Sequence, residues 1–534
     1  MAFSDLSFDS ALADRLAWQQ AGDDRPVFVE ETGHAVLPDA FDTLVEGTAA
    51  WLLDQGITAG DRVAVWLPNK LEWMMLLFGC ARIGATVAAV NTRYRTAELS
   101  HILSSSGARM LIFDAKSQHS DFYGMIGELD FSKLPDLKAL VSLDPNADRL
   151  APVGGLPVQH FGRHALPGRT VTRTGTADSP LILFTTSGTT NLPKLVLHLQ
   201  RTVGWHANQC VSAFGFDEPT ARYMAVMPFC GVFGIVPTLT SIASGAPIYL
   251  NEVFNLGLAL KTAKDNAITH MFGSDDMFVQ MWETDKSAFD VARICGFASF
   301  TPGIEEKLAR IAATGVPLAG LYGASELNAL YSIQSLDLPV AERLRGGGQP
   351  AAGKDASIRV RNPETGELCP ANEVGILEFR TAGNFVGYYR NPEATEKAID
   401  EEGYFNSGDA GYLREDGSFV YLARNGDFLR LSGFLTDPKE IEEVIEGFPG
   451  VEKCQVVGIP VDGKTRTFAF VVSENGPLEE AAILEQASAR LAHYKIPVRI
   501  IQLDAFPTTE SANGLKIQKN KLREQAEQII TAGD

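Results

Sequence analysis

A run rich in hydroxyl groups follows an apolar segment in the first half of the chain. Residues 181–184 are typical of a short buried strand, and residues 185–194 (Thr-Thr-Ser-Gly-Thr-Thr-Asn-Leu-Pro-Lys) come directly after it. Backbone amides and hydroxyls can donate hydrogen bonds to phosphate oxygens, and an ammonium group neutralises their charge. The spacing differs from that of the Walker loop, because Pro193 precedes Lys194 here. The run predicts a strand followed by a polyphosphate-binding loop, and a polar surface turn is the alternative.

The length and charge of the chain restrict its class. At 534 residues it is longer than one hydrophobic core usually supports, so we expect at least two domains. Hydrophobic residues make up 45% and charged residues 21%, which is typical of a soluble globular protein. The formal net charge is −20, from 46 Lys and Arg against 66 Asp and Glu. Because nucleic acids and anionic membranes favour a basic surface, we expect neither as a partner.

Cysteine usage and the apolar segments indicate a cytoplasmic protein. The N-terminus lacks a basic segment followed by an apolar run, so we expect no signal peptide. The longest apolar stretch, residues 73–90, contains Arg82, which favours a buried helix and a following strand over an integral membrane segment. The cysteines are scattered without a short repeat, which indicates reduced thiols and neither a disulfide framework nor a zinc site. They are Cys80, Cys210, Cys230, Cys295, Cys369 and Cys454.

Strand-like and helix-like segments alternate through the first two thirds of the chain. This alternation predicts an α/β fold, with parallel sheets covered by helices. We expect Asn69 to cap the helix that follows the predicted strand at residues 62–67. The expected strands are residues 62–67, 85–90, 108–113, 139–143, 223–227, 247–250 and 316–322.

The pattern changes twice towards the C-terminus. Residues 346–350 (Gly-Gly-Gly-Gln-Pro) indicate a turn, and the β-rich segments 356–360, 375–380 and 418–422 follow it. They predict a small barrel or twisted sheet, a subdomain at about 346–426 within an N-terminal domain of residues 1–426.

A compact α+β domain is expected at residues 427–534, which is a usual domain size. Asp437 would cap a helix that has Pro438 in its first turn. Strands at 454–457 and 468–472, a helix near 478–492 and a charged terminal helix complete it.

Residues 321–326 place an aromatic ring, a glycine, a hydroxyl and a carboxylate at the end of a predicted strand. The aromatic ring of Tyr322 can stack on a base, and the Glu326 carboxylate can hold magnesium beside phosphates. The alternative is an ordinary strand end that turns into a helix capped by Ser325.

Three more motifs carry groups suited to a nucleotide. Asp409 follows a glycine turn, where its carboxylate can accept hydrogen bonds from both ribose hydroxyls. The alternative is a solvated hairpin residue. Arg424 and Asp427 follow a strand, at the point where the composition changes. Arg424 is a candidate ribose or phosphate ligand and Asp427 a candidate hinge, and a surface turn is the alternative for both. Lys516 lies on a glycine-bearing loop near the C-terminus, where a lysine taken alone is usually solvated, and Lys519 is its near rival.

Together and in this order, these motifs resemble the adenylate-forming superfamily of acyl-CoA synthetases, adenylation domains and luciferases. The resemblance covers nearly the whole chain, from residues 61–63 to Lys516. The family loop usually reads Thr-Ser-Gly-Thr-Thr-Gly-x-Pro-Lys-Gly, whereas Asn191 and Leu195 replace two glycines here. The family also has glycine directly before the C-terminal lysine, where this chain has Leu515.

The resemblance implies a role for each motif. Lys516, Glu326 and Lys194 would be catalytic, and Glu326 would also ligate Mg²⁺. Asp427 matches the hinge about which the family's mobile C-terminal domain rotates between two half-reactions. ATP, Mg²⁺ and coenzyme A would be the cofactors. The implied nucleotide site comprises Thr186, Ser187, Gly188, Thr189, Thr190, Lys194, Ala298, Ser299, Tyr322, Gly323, Ser325, Asp409 and Arg424.

The implied reaction explains the two lysines. A carboxylic acid attacks ATP to form an acyl-adenylate, and a thiolate then attacks this mixed anhydride. Because the attacking carboxylate and the triphosphate are both anions, Lys194, Lys516 and a magnesium ion would offset their repulsion. No protein nucleophile is required.

Two segments align with those that line the acyl pocket in the family. Many CoA ligases carry histidine or a bulky group in place of Gly231, and Phe297 adds bulk where glycine is common. This reshaping favours an apolar acid of cyclic, aromatic or branched shape, unless both substitutions are packing compensations. No acidic residue lies between Met227 and Val236, which disfavours an amino acid. The expected pocket residues are His206, Phe229, Cys230, Gly231 and Phe297. For His206 the alternative is a buried histidine whose hydrogen bonds are satisfied within the core.

The sequence therefore predicts an AMP-forming acyl-CoA synthetase, a ligase of the kind found in fatty acid metabolism, whose partners are a small carboxylic acid and CoA. The enzymatic alternatives are a medium- or long-chain fatty acid CoA ligase and a stand-alone adenylation protein that loads an acyl carrier protein. The non-enzymatic alternative is a nucleotide-binding regulator with a decayed site, which Asn191, Leu195 and Leu515 favour. A homodimer is one oligomeric state that the sequence allows.

Overall fold

The computed structural model describes residues 25–117, 120–186, 193–299, 301, 304–363, 365–424, 429–431, 434–436, 438–461, 464–473, 476–491, 493–511 and 514–533. These residues group into two compact units. The first comprises the described parts of Met1–Ser299, Ile304–Ile358 and Phe379–Phe405, and the second those of Phe300–Gly303, Arg359–Glu378 and Asn406–Asp534. The predicted hinge, Asp427, lies outside the described residues, so the division at 426/427 stays a prediction.

The strands of the first half are β1 (Phe28–Val29), β2 (Ala35–Val36), β3 (Arg62–Trp66), β4 (Thr86–Ala89), β5 (Met110–Phe113), β6 (Ala139–Ser142), β7 (Val158–His160), β8 (Pro180–Thr185), β9 (Leu195–Leu199), β10 (Tyr223–Ala225), β11 (Ile248–Leu250) and β12 (His270–Ser274). The next are β13 (Ile294–Ala298), β14 (Leu318–Ala324), β15 (Asn328–Ile333), β16 (Gly347–Pro350), β17 (Ser357–Arg361), β18 (Gly375–Arg380), β19 (Gly387–Tyr388), β20 (Phe405–Leu413) and β21 (Phe419–Arg424). The last are β22 (Leu429–Leu431), β23 (Phe434–Thr436), β24 (Val451–Val461), β25 (Lys464–Ser473), β26 (Arg499–Gln502), β27 (Thr508–Ser511) and β28 (Gly514–Ile517).

The helices are α1 (Pro38–Asp54), α2 (Leu71–Ile83), α3 (Thr96–Ser106), α4 (Phe122–Gly127), α5 (Gln200–Ala213), α6 (Val232–Ser244), α7 (Leu256–Asp265), α8 (Asp275–Thr284), α9 (Glu305–Ala313), α10 (Val340–Arg343), α11 (Pro392–Ala398), α12 (Pro438–Glu446), α13 (Glu480–Arg490) and α14 (Lys519–Gly533).

The first unit contains a sheet in the order β19-β9-β8-β4-β3-β5-β6-β7. Strands β4, β3, β5 and β6 pair in parallel, and β4 also pairs in parallel with β8. Every residue of β4 and β5 is buried, as expected for parallel strands covered on both faces. The predicted α/β alternation is therefore confirmed, and the apolar stretch 73–90 forms most of α2 and then β4.

A second array of the first unit runs in the order β16-β15-β14-β13-β12-β10-β11-β1-β2. The pairs from β14 to β1 are parallel, and β14 turns back antiparallel into β15. Parallel strands place their carboxyl ends at one edge of a sheet, where ligands usually bind in such folds. The predicted motifs at Ala298 and Tyr322 lie at the ends of β13 and β14, on this edge.

Residues 346–350 do not form the predicted turn. Gly347–Pro350 is β16, which pairs antiparallel with β15 through Ser332↔Pro350 and Ile333↔Gln349. A Cβ atom on Gly348 would lie 2.0 Å from the Ile333 carbonyl oxygen, and its φ of +108° is unfavourable for other residues. The glycine therefore permits a close approach of two strands, a use that sequence alone does not distinguish from a turn.

Asn69 does not cap α2, contrary to the prediction. Lys70 occupies the cap position and makes no capping hydrogen bond with its side chain. The Asn69 side chain instead bonds to a segment about 160 residues away in the chain, which is described with the site below.

The second unit contains β17-β18-β20-β21 in that order, and a separate β24-β25-β26 sheet. Within the described residues, neither array closes into the barrel that was one of the two predicted forms, so the twisted sheet is the better description. Helices α12 and α13 pack on β24–β26 around a core that includes Ile441, Cys454 and Ile483. The C-terminal α+β arrangement agrees with the prediction, although the predicted Asp437 cap lies outside the described residues.

Among the helices of the described residues, none combines the length and the apolar character needed to cross a membrane.

Arg163 joins two elements of the first unit through charged hydrogen bonds. Its Nη1 and Nη2 atoms donate to the two Glu30 oxygens at 2.9 and 2.6 Å, and its Nε donates to Glu72 Oε1 at 2.6 Å. These hydrogen bonds to Arg163 are the main reason that the pKa of Glu30 is lowered from its ordinary 4.5. A lowered folded-state pKa contributes stability above the unfolded-state pKa, and this contribution is lost as pH falls through the folded-state value.

We expect Arg163→Gln to lower the free energy of unfolding by about 2 kcal/mol near pH 7, because three charge-assisted hydrogen bonds are lost. The loss should shrink as the pH falls below 4.5, the ordinary pKa of Glu30. Urea denaturation at several pH values measures both effects. Arg310→Gln, which breaks an exposed pair with Glu306 within one helix, is the control and should cost less than about 0.5 kcal/mol. An equal loss at all pH values would contradict the assignment to Glu30.

Candidate active site

The hydroxyl-rich run connects two paired strands. Strands β8 and β9 are antiparallel, with Thr185 opposite Leu195. The Thr186 amide donates to the Lys194 carbonyl at 3.1 Å, and the Lys194 amide donates to Thr186 Oγ1 at 3.1 Å. Residues 187–192, which include the predicted ligands Ser187 to Thr190, lie outside the described residues. The two ends of the predicted phosphate loop are therefore held together at its base.

Neighbouring elements add two contacts at this base. The Tyr94 hydroxyl donates to Thr185 Oγ1 at 3.0 Å. His101 on α3 bonds through Nε2 to the Pro193 carbonyl at 2.9 Å, and the ring nitrogen must be the donor because a carbonyl only accepts. Both strand ends are thus tied to the segment that follows β4.

The structure brings Lys194 and Glu326 to opposite parts of one side chain. The exposed Lys194 extends its Nζ atom to 4.3 Å from the centre of the Tyr388 ring. The Tyr388 hydroxyl donates to Glu326 Oε1 at 2.8 Å. Two predicted catalytic residues, Lys194 just before β9 and Glu326 in the short helical turn after β14, are therefore linked through a tyrosine that no sequence motif indicated.

A buried histidine makes a second link between the same two regions. His198, on β9, is fully buried and bonds through Nε2 to the Ser325 carbonyl at 2.7 Å. Burial lowers the pKa of His198 to about 4, so the imidazole is neutral at physiological pH. Because the carbonyl accepts, the proton is on Nε2, and Nδ1 lies 3.4 Å from Thr202 Oγ1 and from Asn328 Nδ2. This bond connects the strand after Lys194 to the residue before Glu326.

The turn after Glu326 has an unusual backbone. Asn328 and Leu330 both have a φ of +59°, a conformation that costs energy for residues other than glycine. Asn328 Nδ2 donates to the Gly383 carbonyl at 2.8 Å, which helps to hold the turn. A Cβ atom on Gly323 would lie 2.9 Å from Ala329 Cα, so the motif glycine allows the two strands to approach.

The predicted adenine-flanking residues lie at neighbouring strand ends. Tyr322 is buried and stacks on Phe379, with ring centres 5.2 Å apart. Ala298 is the last residue of β13 and pairs with Ser274, and Ser299 follows it.

The second unit pairs the two predicted ribose ligands. Asp409 on β20 lies directly opposite Arg424 on β21, and Asp409 is buried. Lys516 lies on β28 opposite Thr509. The side chains of Arg424 and Lys516 are outside the described residues, as is Asp427. The rival Lys519 lies 3.6 Å from Glu442 Oε1, so it has a structural ion pair.

Asn69 holds the segment predicted to line the acyl pocket. Its Nδ2 donates to the Met227 carbonyl at 2.9 Å, and its Oδ1 accepts from the Phe229 amide at 2.8 Å. Both bonds are buried and lie on either side of Pro228, so one side chain determines the path of the chain there. The Phe229 ring contacts Trp73 edge-on at 6.1 Å.

The other predicted pocket residues differ in their surroundings. Phe297 and Cys230 are buried, and burial raises the pKa of the Cys230 thiol to about 11, so this thiol is not a reactive thiolate. Gly231 is partly exposed at the start of α6. His206 is buried and donates from Nε2 to the Ala329 carbonyl at 2.7 Å, which agrees with the alternative of a satisfied histidine. Burial lowers the pKa of His206 to about 4.

The described residues contain no group of three or more His, Cys, Asp and Glu side chains that could hold a metal ion. Glu326 offers one partly exposed carboxylate. Mg²⁺ commonly binds one or two carboxylates together with substrate phosphates and water. The Glu326 carboxylate therefore fits a magnesium ion that arrives with a polyphosphate.

Comparison with known proteins identifies the family. The pattern of the AMP-binding enzyme family matches residues 17–389, and that of the AMP-binding enzyme C-terminal domain matches residues 440–513. The human mitochondrial medium-chain acyl-CoA ligase ACSF2 is 26% identical over 91% of this chain and 82% of its own length. A feruloyl-CoA synthase from an Amycolatopsis species is 27% identical over 86% of this chain and 88% of its own length.

A solved structure shares the fold. The crystal structure of ATP-bound MatB from Rhodopseudomonas palustris has a TM-score of 0.81 and 23% identity, and covers 98% of this chain and 99% of MatB. The predicted resemblance and the mixed α/β fold are thereby confirmed. The chain belongs to the AMP-binding enzyme family and, like the relatives named as acyl-CoA ligases and synthetases, is an acid–thiol ligase.

Proposed function

We propose that the protein is an ATP-dependent acyl-CoA synthetase. It converts a carboxylic acid, ATP and CoA into acyl-CoA, AMP and diphosphate through an acyl-adenylate. The observation that carries the proposal is the link from Lys194 through Tyr388 to Glu326, because it joins a phosphate-binding cation to a carboxylate suited to magnesium. The decayed-site alternative does not explain why these two groups are held together.

The phosphate loop is proposed to enclose the ATP β- and γ-phosphates. Thr186 and Lys194 form its base, and Ser187, Gly188, Thr189 and Thr190 complete it. Two hydrogen bonds between Thr186 and Lys194 support this proposal, because they hold the base of the loop together.

Nucleotide recognition is proposed to use two sets of residues, one for the adenine and one for the ribose. Tyr322, Ala298 and Ser299 would contact the adenine, and Gly323 and Ser325 would belong to the same nucleotide site. One face of the Tyr322 ring already packs on Phe379, which keeps the ring in a single orientation for stacking. Asp409 and Arg424 would bind the ribose, and their direct pairing across β20 and β21 supports a shared ligand.

The chemistry follows from electrostatics. The acid and the triphosphate repel each other, so the site must supply positive charge where the new bond forms. Lys194 would hold the phosphates and Lys516 the attacking carboxylate with the α-phosphate. When bound, magnesium would neutralise phosphate charge beside Glu326. The adenylate is already activated, so the CoA thiol needs no protein nucleophile.

The proposed acid is apolar and compact, with a cyclic, aromatic or branched shape. Phe229, Cys230 and Phe297 supply buried apolar surface, and His206 would close the pocket while bonded to Ala329. The Asn69 clamp holds Phe229 in place, which supports a pocket of defined shape. The two reported relatives are named for different acids, a medium-chain acid and ferulic acid, so their names do not choose between shapes.

An acid panel tests the proposal. With ATP, Mg²⁺ and CoA, we expect AMP and acyl-CoA to form, and kcat/KM to be higher for benzoate, cyclohexanecarboxylate or isovalerate than for octanoate or palmitate. Release of AMP without a CoA thioester would favour a carrier protein as acceptor. Absence of AMP release with every acid would contradict the proposal.

Removing Lys516 should separate the half-reactions. We expect Lys516→Ala to lower the rate of adenylate formation by at least about 100-fold, because charge at the transition state is lost. Thioester formation from a supplied acyl-adenylate should stay within about threefold of the original. Lys519→Ala is the matched control. Because Lys519 forms an ion pair with Glu442, its loss should lower the stability of the fold and leave the rates of both half-reactions nearly unchanged. Equal loss of both half-reactions would contradict the role of Lys516.

Two nearby glycines give a test of the pocket. A Cβ atom on Gly231 would have only the Pro228 carbonyl as a neighbour, at 3.7 Å, whereas on Gly234 it would lie 2.2 Å from that oxygen. Gly231→Ser should leave stability within about 0.5 kcal/mol, because serine suits a helix N-cap. It should lower kcat/KM for the bulkiest accepted acid by about tenfold, since a filled pocket excludes a substrate of that volume.

Gly234→Ser is the contrast, and it should lower the unfolding temperature because the backbone must shift. Kinetics on two acids and a thermal melt of each variant distinguish the outcomes. An unchanged acid preference in Gly231→Ser would remove this segment from the pocket.

A further inference from the structure

Tyr388 makes contacts with two groups of opposite charge that the proposed function uses. Its ring face lies 4.3 Å from Lys194 Nζ, and its hydroxyl donates to Glu326 Oε1 at 2.8 Å. An aromatic ring has a negative face, which attracts an ammonium, and a phenol is a good donor to a carboxylate. The two contacts use different parts of the same side chain, so they can exist together.

The backbone around Tyr388 is bonded to both regions that its side chain contacts. Strand β19 is antiparallel to β9, with Tyr388 opposite Val196. The Tyr389 amide donates to the Leu195 carbonyl, the residue after Lys194, at 2.8 Å. The Phe385 amide donates to the carbonyl of Glu326 itself at 2.8 Å. The position of Tyr388 is therefore determined by the same two chain segments that it connects.

Tyr388 has little freedom of its own. Its amide donates to Thr395 Oγ1 at 2.9 Å, its side chain is mostly buried, and its ring contacts Phe385 edge-on at 5.1 Å. Lys194, in contrast, is exposed and has a long flexible side chain. A fixed ring beside a flexible ammonium restricts the ammonium, and not the reverse.

The contact with Glu326 has a direct consequence for a metal. A carboxylate has two oxygens, and Tyr388 occupies a site on Oε1. Hydrogen bonds of this kind orient metal-binding carboxylates, and their loss commonly weakens metal affinity by 10- to 100-fold. The remaining oxygen is then presented in one direction.

We infer that Tyr388 is a positioning residue that sets the Glu326 carboxylate for magnesium and the Lys194 ammonium for the triphosphate before ATP arrives. The inference rests on the proposed function of Lys194 and Glu326. Tyr388 lies in none of the sequence motifs. Its hydroxyl acts on the metal through Glu326, and its ring face acts on the phosphates through Lys194.

Two substitutions separate these roles. Tyr388→Phe keeps the ring and removes the hydroxyl, whereas Tyr388→Leu removes both. We measure binding of ATP by calorimetry without any acid, first in EDTA and then at increasing Mg²⁺. For Tyr388→Phe, we expect the Mg²⁺ concentration at half-maximal effect to rise by about tenfold, and the affinity for ATP in EDTA to change by less than about twofold.

For Tyr388→Leu, we expect the same change with Mg²⁺ and an additional fall of about threefold in ATP affinity in EDTA, because the ammonium loses its aromatic contact. Tyr389→Phe is the matched control. This neighbouring tyrosine contacts Arg390 through its ring and packs against a hydrophobic core that includes Trp66 and Phe113, so neither binding curve should change. Thermal melts show that each variant is folded.

A double-mutant cycle gives an independent measurement. In a Glu326→Gln background, Tyr388→Phe should change the Mg²⁺ dependence by less than about twofold, because the hydroxyl acts through this carboxylate. The inference is overturned if Tyr388→Phe leaves the Mg²⁺ dependence unchanged, if Tyr389→Phe has an equal effect, or if Tyr388→Leu binds ATP more tightly. The last result would mean that the ring withholds Lys194 from the phosphates.

Failure of this inference is distinguishable from failure of the proposed function. If no acid is activated but ATP binds with Mg²⁺, the enzymatic proposal fails and the binding experiment still decides the role of Tyr388. If acids are activated and the Tyr388 variants behave like the original, only the inference fails. If the protein binds no ATP, both are overturned.

Discussion

The antiparallel pairing of β8 with β9 is the constraint on which the proposed site depends. It places Thr186 beside Lys194, so a long polar connection begins and ends at one point. Because β8 is also parallel to the buried strand β4, and its own residues 181–184 are buried, this point cannot shift without disturbing the core. The position of the Lys194 backbone is thus determined by the register of β8 and β9.

Polar side chains buried among apolar ones complete the arrangement. His198 and Asn69 each bond to distant backbone groups, and each would leave unsatisfied partners if removed. Unpaired buried groups are costly, so such contacts hold a unique arrangement more strictly than apolar packing does. Neutral His198 is suited to this task, since a charged imidazole would be expensive in its buried position.

Local sequence signals predicted the structure better than signals whose partners are distant in the chain. Strands such as β3 and β5 were predicted within a few residues, because a continuous apolar run leaves little choice of structure. The prediction at residues 346–350 was wrong, because glycine serves a tight turn and a close strand contact equally well. The prediction for Asn69 was wrong for a related reason. Its position just before a helix suits a cap, but its hydrogen-bond partners, Met227 and Phe229, are far away in the chain.

The sequence by itself determined the α/β alternation, the family and the identity of Lys194 and Glu326 as candidate residues, because these depend on residue type, order and short spacing. Only the tertiary structure decided that Tyr388 joins Lys194 to Glu326, and that Asn69 orders the predicted acyl segment. The physical reason is that strand pairing brings together residues from distant parts of the chain, and no local pattern records which side chains will then meet.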